Sequence, residues 1–282
     1  MRRSTLSQMI AWPTIDKLPP GNNANVLTAG GQGLDKPFVH IEGQFKSLHF
    51  GIDALQSRMN TQDPSQLEVD YTRTMMGFLL FHSAPASIAM VGLGGGSLAK
   101  FCYVQLPASC ITVVEINPQV IALRREFDVP EDDARLDVIE ADGAAFMARQ
   151  NARFDVLLID GFDQQGQPAA LCAQGFYDAC FAALKPDGVM VVNLHYDDAD
   201  YAVMVARIQR SFNGNVCEVP ALEKSNCIVF ASRMDSRAPM SPRRINLNAS
   251  LLQLKPGARS QLKQEFARIA WSIKDLAGGE IG

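Results

Sequence analysis

The sequence has no CxxC pair, no apolar run approaching the roughly 20 residues of a membrane-spanning helix, no excess of basic residues and no internal repeat. Six cysteines (Cys102, Cys110, Cys172, Cys180, Cys217 and Cys227) are scattered, which predicts buried free thiols rather than a zinc site or a disulfide framework. His40, His49 and His82 have no metal-ligand spacing with one another, and no metal is expected. His195 follows the fifth predicted strand, where the alternative is that it borders the pocket, and is expected to be a loop or structural histidine. The formal net charge of -4 gives no electrostatic reason for binding nucleic acid or an acidic membrane and suits a cationic ligand. Two arginines follow Met1, but Gln8, Pro13 and Asp16 interrupt the apolar residues that a secretory signal needs, so a cytoplasmic protein is expected.

Short apolar runs alternate with helical patterns from Pro85 onward, the signature of βαβ units and a mostly parallel sheet. Strands are predicted at Ser87 to Val91, Ile111 to Ile116, Leu136 to Glu140, Phe154 to Ile159 and Gly188 to Leu194. Helices are predicted at Leu98 to Gln105, Pro118 to Glu126, Ala144 to Gln150 and Ala169 to Leu184. A helix over Asp198 to Phe212 and short strands near Val216 to Val219 and Cys227 to Ser232 complete the pattern. Upstream, a small β-hairpin unit is predicted within Phe38 to Met59 and a helix over Tyr71 to Phe81. Downstream, Ser236 to Arg244 has linker composition and precedes a helix over Ser260 to Leu276, in which Trp271 is expected to be a packing anchor. The expected division is an N-terminal extension with a small β region and lead-in helix (1–84), a Rossmann-like nucleoside-binding catalytic domain (85–232), and a linker with a C-terminal helix (233–282).

The run Val91-Gly92-Leu93-Gly94-Gly95-Gly96-Ser97 follows a strand and opens a helix. Its glycines permit close backbone approach to a ligand, and the helix start offers unpaired N–H groups. Glu115 ends the next strand about 20 residues on, with Ile116 after it, where a carboxylate can accept from both ribose hydroxyls. Asp142 and Gly143 follow the third strand, at the level of an adenine-binding carboxylate; Asp142 is equally suited to cap the next helix. Asp160 and Asp163 follow the fourth. In open α/β sheets ligands bind at the carboxyl ends of strands, so these features converge on one crevice. A dinucleotide site is disfavoured because its third glycine falls at Ser97. At the fourth strand, a partly desolvated carboxylate can take the proton that an ammonium must lose before its nitrogen attacks carbon.

These motifs resemble the spermidine synthase family of aminopropyltransferases. The similarity covers roughly Leu48 to Ser232 and is carried by GLGGGSLAKF (Gly92 to Phe101), VVEINPQVI (Val113 to Ile121), EADGAAF (Glu140 to Phe146) and FDVLLIDGFDQQGQPAAL (Phe154 to Leu171). The resemblance implies an α/β protein of the class I methyltransferase-like Rossmann fold, with a seven-stranded mostly parallel sheet, a small N-terminal β region and a C-terminal helical extension. It implies decarboxylated S-adenosylmethionine as co-substrate, a small cationic amine or polyamine as acceptor, no metal, and a homodimer. By resemblance Glu115 holds the ribose, Asp142 with Gly143 the adenine, and Asp160 the attacking amine. Tyr71 falls where the family places a substrate-contacting tyrosine, with Glu68 and Asp70 as nearby acids. The chain departs from the family at Ser97, where an aspartate usually follows the three glycines, and at Gly161, Phe162 and Gln164 around the two acids. Three readings stay open: an aminopropyltransferase, a methyltransferase using intact S-adenosylmethionine, and a non-catalytic nucleoside-binding module.

Overall fold

A computed structural model describes residues 36–51, 54–163, 165–222, 226–234, 245 and 247–278. The segment after Met1 and the linker at Ser236 to Arg244 lie outside the described residues. An antiparallel sheet comes first, in the order β1 (Phe38–Glu42), β2 (Phe45–Gly51) and β3 (Ala54–Asn60). The predicted hairpin is thus extended by a third strand, and β3 is held to β2 partly by Arg58, whose guanidinium lies 4.1 Å from the centre of the Phe45 ring. Helix α1 (Asp70–Met75) follows and tightens into a 3-10 turn over Met76–Leu80 where one continuous helix is predicted. The Leu79 carbonyl is taken by the Ser250 hydroxyl instead of by a further helical turn.

From Ser87 onward strands and helices alternate as predicted, apart from two helices where one was expected after the fourth strand and an unexpected helix, Leu247–Leu252, before the last. They are β4 (Ser87–Val91), α2 (Ser97–Gln105), β5 (Cys110–Glu115), α3 (Pro118–Ala122), β6 (Leu136–Glu140), α4 (Gly143–Met147), β7 (Phe154–Ile159), α5 (Ala169–Cys172), α6 (Gln174–Ala183), β8 (Leu184–His195), α7 (Tyr201–Ser211), β9 (Val216–Pro220), β10 (Asn226–Ser232), α8 (Leu247–Leu252) and α9 (Pro256–Gly278). Seven strands form one sheet in the order β6-β5-β4-β7-β8-β10-β9, with β10 antiparallel to both neighbours and the other pairings parallel.

Period-two alternation on β4 separates the two core layers. Ile88 and Met90 pack with α1, α2 and α9, while Ala89 and Val91 pack with α4 to α7. All six residues of β7 are buried, and each fully buried valine, leucine or isoleucine stabilises by about 1.5–3 kcal/mol over exposure. The strand that leads into Asp160 is therefore firmly held. From β4 the chain moves outward to β5 and β6, then returns to β7 on the other side. The crevice at the carboxyl ends of β4, β5 and β7 lies at this reversal of direction.

The predicted helix over Ala169 to Leu184 breaks at Ala173, which is extended (φ -70°, ψ 148°). Arg207 of α7 donates to the Cys172 carbonyl at 2.7 Å, which supplies the partner that another helical turn would have given. The helix after Pro118 stops at Ala122, and the following turns carry Phe127 into the core and Asp128 to φ 51°. Trp271 is not a packing anchor: it is 66% exposed, and Leu262, Phe266, Ile269 and Ile273 form the buried face of α9. Four cysteines are buried as expected, Cys172 is half-buried and Cys110 is exposed. Among the described residues no helix is long and apolar enough to cross a membrane.

Candidate active site

β4 and β7 lie side by side, and their ends can meet only because of a glycine. Gly92 has φ +97°, and a Cβ there would lie 2.3 Å from the Asp160 backbone oxygen. The Asp160 N–H donates to the Val91 carbonyl at 2.9 Å, locking the two strand ends together. Beyond Gly92 the chain loops to the start of α2 at Ser97. Strand β3 of the small sheet comes down on this loop: a Cβ on Gly95 would stand 2.6 Å from Ser57 Oγ. Ser57 Oγ and Ser97 Oγ are 3.2 Å apart, so a pair of neutral hydroxyls closes this part of the wall.

Glu115 ends β5 and is buried. Its Oε2 accepts from the Leu93 N–H and its Oε1 from the Asn117 N–H, each at 2.8 Å. Burial raises its carboxyl above the ordinary glutamate value, against the pull of surrounding backbone N–H groups. Glu115 therefore pins the glycine loop while lining the same crevice. Asp142 caps α4, its Oδ1 accepting from the Ala145 N–H at 2.7 Å, so the capping alternative holds for a residue that also faces the crevice.

Asp160 stands at the end of β7. Its Oδ2 accepts from the Tyr71 hydroxyl at 3.0 Å and its Oδ1 from Asn193 Nδ2 at 2.9 Å. Burial raises the Asp160 carboxyl above the ordinary aspartate value, while the hydrogen bonds from Asn193 and Tyr71 draw it back. The Tyr71 hydroxyl is pushed well above its usual range by burial and by the Asp160 charge, so it remains a donor. Asp163 spends part of its hydrogen bonding on its own turn: Oδ1 accepts from the Gln165 N–H at 2.7 Å, and its N–H donates to the Gly166 carbonyl at 2.9 Å.

These residues line one cavity of about 700 Å³, within the usual range for small-molecule sites. It unites Tyr71, Gly92, Gly94, Ser97, Glu115, Ile116, Asp142, Gly143, Asp160 and Asp163. Gly95 and Gly96 do not line it: Gly95 receives Ser57, and Gly96, at φ 69°, caps α2. Glu68 and Asp70 are also outside its lining, and Asp70 pairs instead with Arg73 at 3.2 Å. Asp197 and Asp198 add two carboxylates to the wall, and among the described residues no lysine or arginine lines it. The electrostatics thus favour a cation.

Sequence reasoning missed Ser57, Asn193 and Asn226, which no short motif marks. His195, expected as a loop or structural residue, lines the cavity with its ring 4.8 Å from that of Phe162.

Comparison with known proteins identifies the family. The spermine/spermidine synthase domain matches residues 68–220, more than half of the chain. A polyamine aminopropyltransferase of Chromobacterium violaceum is 41% identical over 200 residues, covering 70% of this chain and 77% of that protein. One from Neisseria meningitidis is 42% identical over 201 residues, covering 71% and 76%. The crystal structure of a probable spermidine synthase from Corynebacterium glutamicum superposes with a TM-score of 0.62 at 20% identity, covering 82% of this chain and 90% of that one, a likeness of fold. With the domain match and two relatives above 40% identity, the chain belongs to the spermine/spermidine synthase family.

Proposed function

We propose that this protein transfers the aminopropyl group of decarboxylated S-adenosylmethionine to a small cationic amine or polyamine. The observation that carries the reading is the half-buried Asp160 carboxylate, held by two neutral donors in the same acidic cavity as the glycine loop and Glu115. Glu115 accepts from the ribose hydroxyls, Asp142 and Gly143 border the adenine, and the amine enters on the side of Tyr71, Asp160 and Asp163. Residues 85–232 carry the nucleoside site, and the segment before them supplies Tyr71 and Ser57.

An amine arrives as an ammonium and transfers one proton to Asp160. The freed nitrogen lone pair attacks the methylene carbon bonded to the sulfonium. A C–N bond forms, the C–S bond breaks, and its electrons return to sulfur, leaving neutral methylthioadenosine and a secondary ammonium. The sulfur charge disappears as the bond breaks, so the leaving group needs little stabilisation, and positioning with desolvation supplies most of the rate. A base raised by burial is suited to this task, because general-base catalysis works best when the catalytic pKa approaches the working pH.

The test is release of methylthioadenosine by the purified chain given decarboxylated S-adenosylmethionine and a panel of diamines and polyamines. Release that depends on an amine is expected; none above background with any amine rejects the reading. The neutral Ser57–Ser97 wall favours a second reading, methyl transfer from intact S-adenosylmethionine, whose carboxylate such hydroxyls can meet. Calorimetry against both donors decides, and a tenfold preference for the intact one, about 1.4 kcal/mol, moves the assignment to methylation. The family resemblance further supports a cytoplasmic homodimer, which light scattering of the purified chain tests for its oligomeric part.

A further inference from the structure

The carboxylate of Asp160 dictates the orientation of three residues beyond it. An ionised carboxylate only accepts hydrogen bonds, so the Asn193 group 2.9 Å from Asp160 Oδ1 is its NH2. Asn193 Oδ1 then accepts from Asn226 Nδ2, also at 2.9 Å. The same NH2 of Asn226 faces His195 Nε2 at 3.1 Å, so that nitrogen is the acceptor and the ring carries its proton on Nδ1. Strand pairing builds this row. In the antiparallel β8–β10 ladder Asn226 lies opposite His195, and Asn193 stands two residues earlier on the same face of β8. Both amides are buried, at 2% and 9% exposure, where an amide turned the wrong way has little water to compensate it.

We propose that Asn226 is a positioning residue for the amine half of the site, holding Asn193 with its NH2 on Asp160 so that the carboxylate keeps its remaining lone pairs for the incoming ammonium. The inference rests on the aminopropyl-transfer reading with Asp160 as the proton acceptor. Without Asn226, the Asn193 amide is free to turn and set its own oxygen against Asp160. That contact favours the protonated acid, which cannot accept the amine proton. The other titratable groups lining this cavity are Tyr71 on α1, Glu115 on β5, His195 on β8, and Asp142, Asp163, Asp197 and Asp198 in the loops. A change at residue 226 leaves all of them in place, and only His195 among them touches it.

The experiment measures methylthioadenosine release by the full chain across pH, with kcat and KM for the amine, for Asn226→Leu, Asn193→Leu and the double variant. Asn226→Leu is expected to lower kcat/KM for the amine about tenfold, the scale of one charge-assisted hydrogen bond. It also moves the acidic limb of the profile to higher pH and leaves KM for the donor unchanged. Because Asn226 acts through Asn193, the double variant is no worse than Asn193→Leu alone. Losses that multiply in the double variant, or an acidic limb that stays put in Asn226→Leu, overturn the inference. Asn226→Asp, which keeps the shape and can only accept, forces Asn193 to turn and shifts the limb further than leucine does; it decides the matter if the leucine variant does not fold. A wild-type chain that releases no methylthioadenosine rejects the transfer reading itself, whereas active wild type with unaffected variants rejects only the role of Asn226.

Discussion

Strand β7 has a buried aspartate near its start and a half-buried one just past its end, and the fold treats the two in opposite ways. At the amino end, Asp155 Oδ2 accepts from the Ala86 N–H (3.0 Å), the Ser87 N–H and hydroxyl (2.8 Å each) and the Lys185 ammonium (3.1 Å). Burial pushes its carboxyl up, but Ser87 and Lys185 outweigh it and hold Asp155 below the ordinary aspartate value. At the carboxyl end, Asp160 has two neutral donors, burial dominates, and its carboxyl is held above that value. The first arrangement stabilises the fold; the second suits the proton acceptor proposed for Asp160. Linkage gives the two ends opposite signs. The contribution of Asp155 is present above the ordinary aspartate range, near 3.9, and is lost as pH falls through its lower folded value. Ionised Asp160 weakens the fold as pH rises from the ordinary range through its higher folded value.

The largest effect that can break this contrast is at Asp160. Asp160→Asn is expected to lower kcat roughly 100- to 10,000-fold, as for loss of a general base, while its melting temperature at neutral pH is no lower than wild type. A variant that keeps its rate, or unfolds more easily, assigns Asp160 to the structural class of Asp155. Tyr71→Phe comes next. It removes one of the two donors that draw Asp160 back, so kcat/KM for the amine should fall about tenfold and the acidic limb should move to higher pH, as read in a pH–rate profile. The smallest effect on catalysis is at the opposite end. Asp155→Asn should cost about 1–3 kcal/mol of stability in thermal melts at neutral pH, with the deficit shrinking in acid, and leave the rate constants unchanged.

The strand-end part of the cavity was legible in the sequence because its parts are local. Each of Gly92, Glu115, Asp142 and Asp160 sits where an apolar run ends, and the parallel order brings those ends together. The surroundings of Asp160 are assembled from elements distant in sequence. Tyr71 reaches Asp160 from a helix 89 residues away. Asn193 and Asn226 read as ordinary polar positions until the antiparallel pairing of β8 and β10 sets them diagonally on one face. Ser57 matters only because β3 packs on Gly95, a contact between the small sheet and the loop after β4. The break at Ala173 was hidden for the same reason: apolar spacing continues through it, and the cause is an arginine on another helix.

The most direct test of a shared nucleoside and amine cavity is calorimetric titration of methylthioadenosine into the wild type, Glu115→Ala and Asp160→Asn. Binding by the wild type, nearly unchanged affinity in Asp160→Asn, and a loss of about 10- to 100-fold in Glu115→Ala are expected, the last from hydrogen bonds to a charged group. No binding by the folded wild type, or equal binding by Glu115→Ala, contradicts the account.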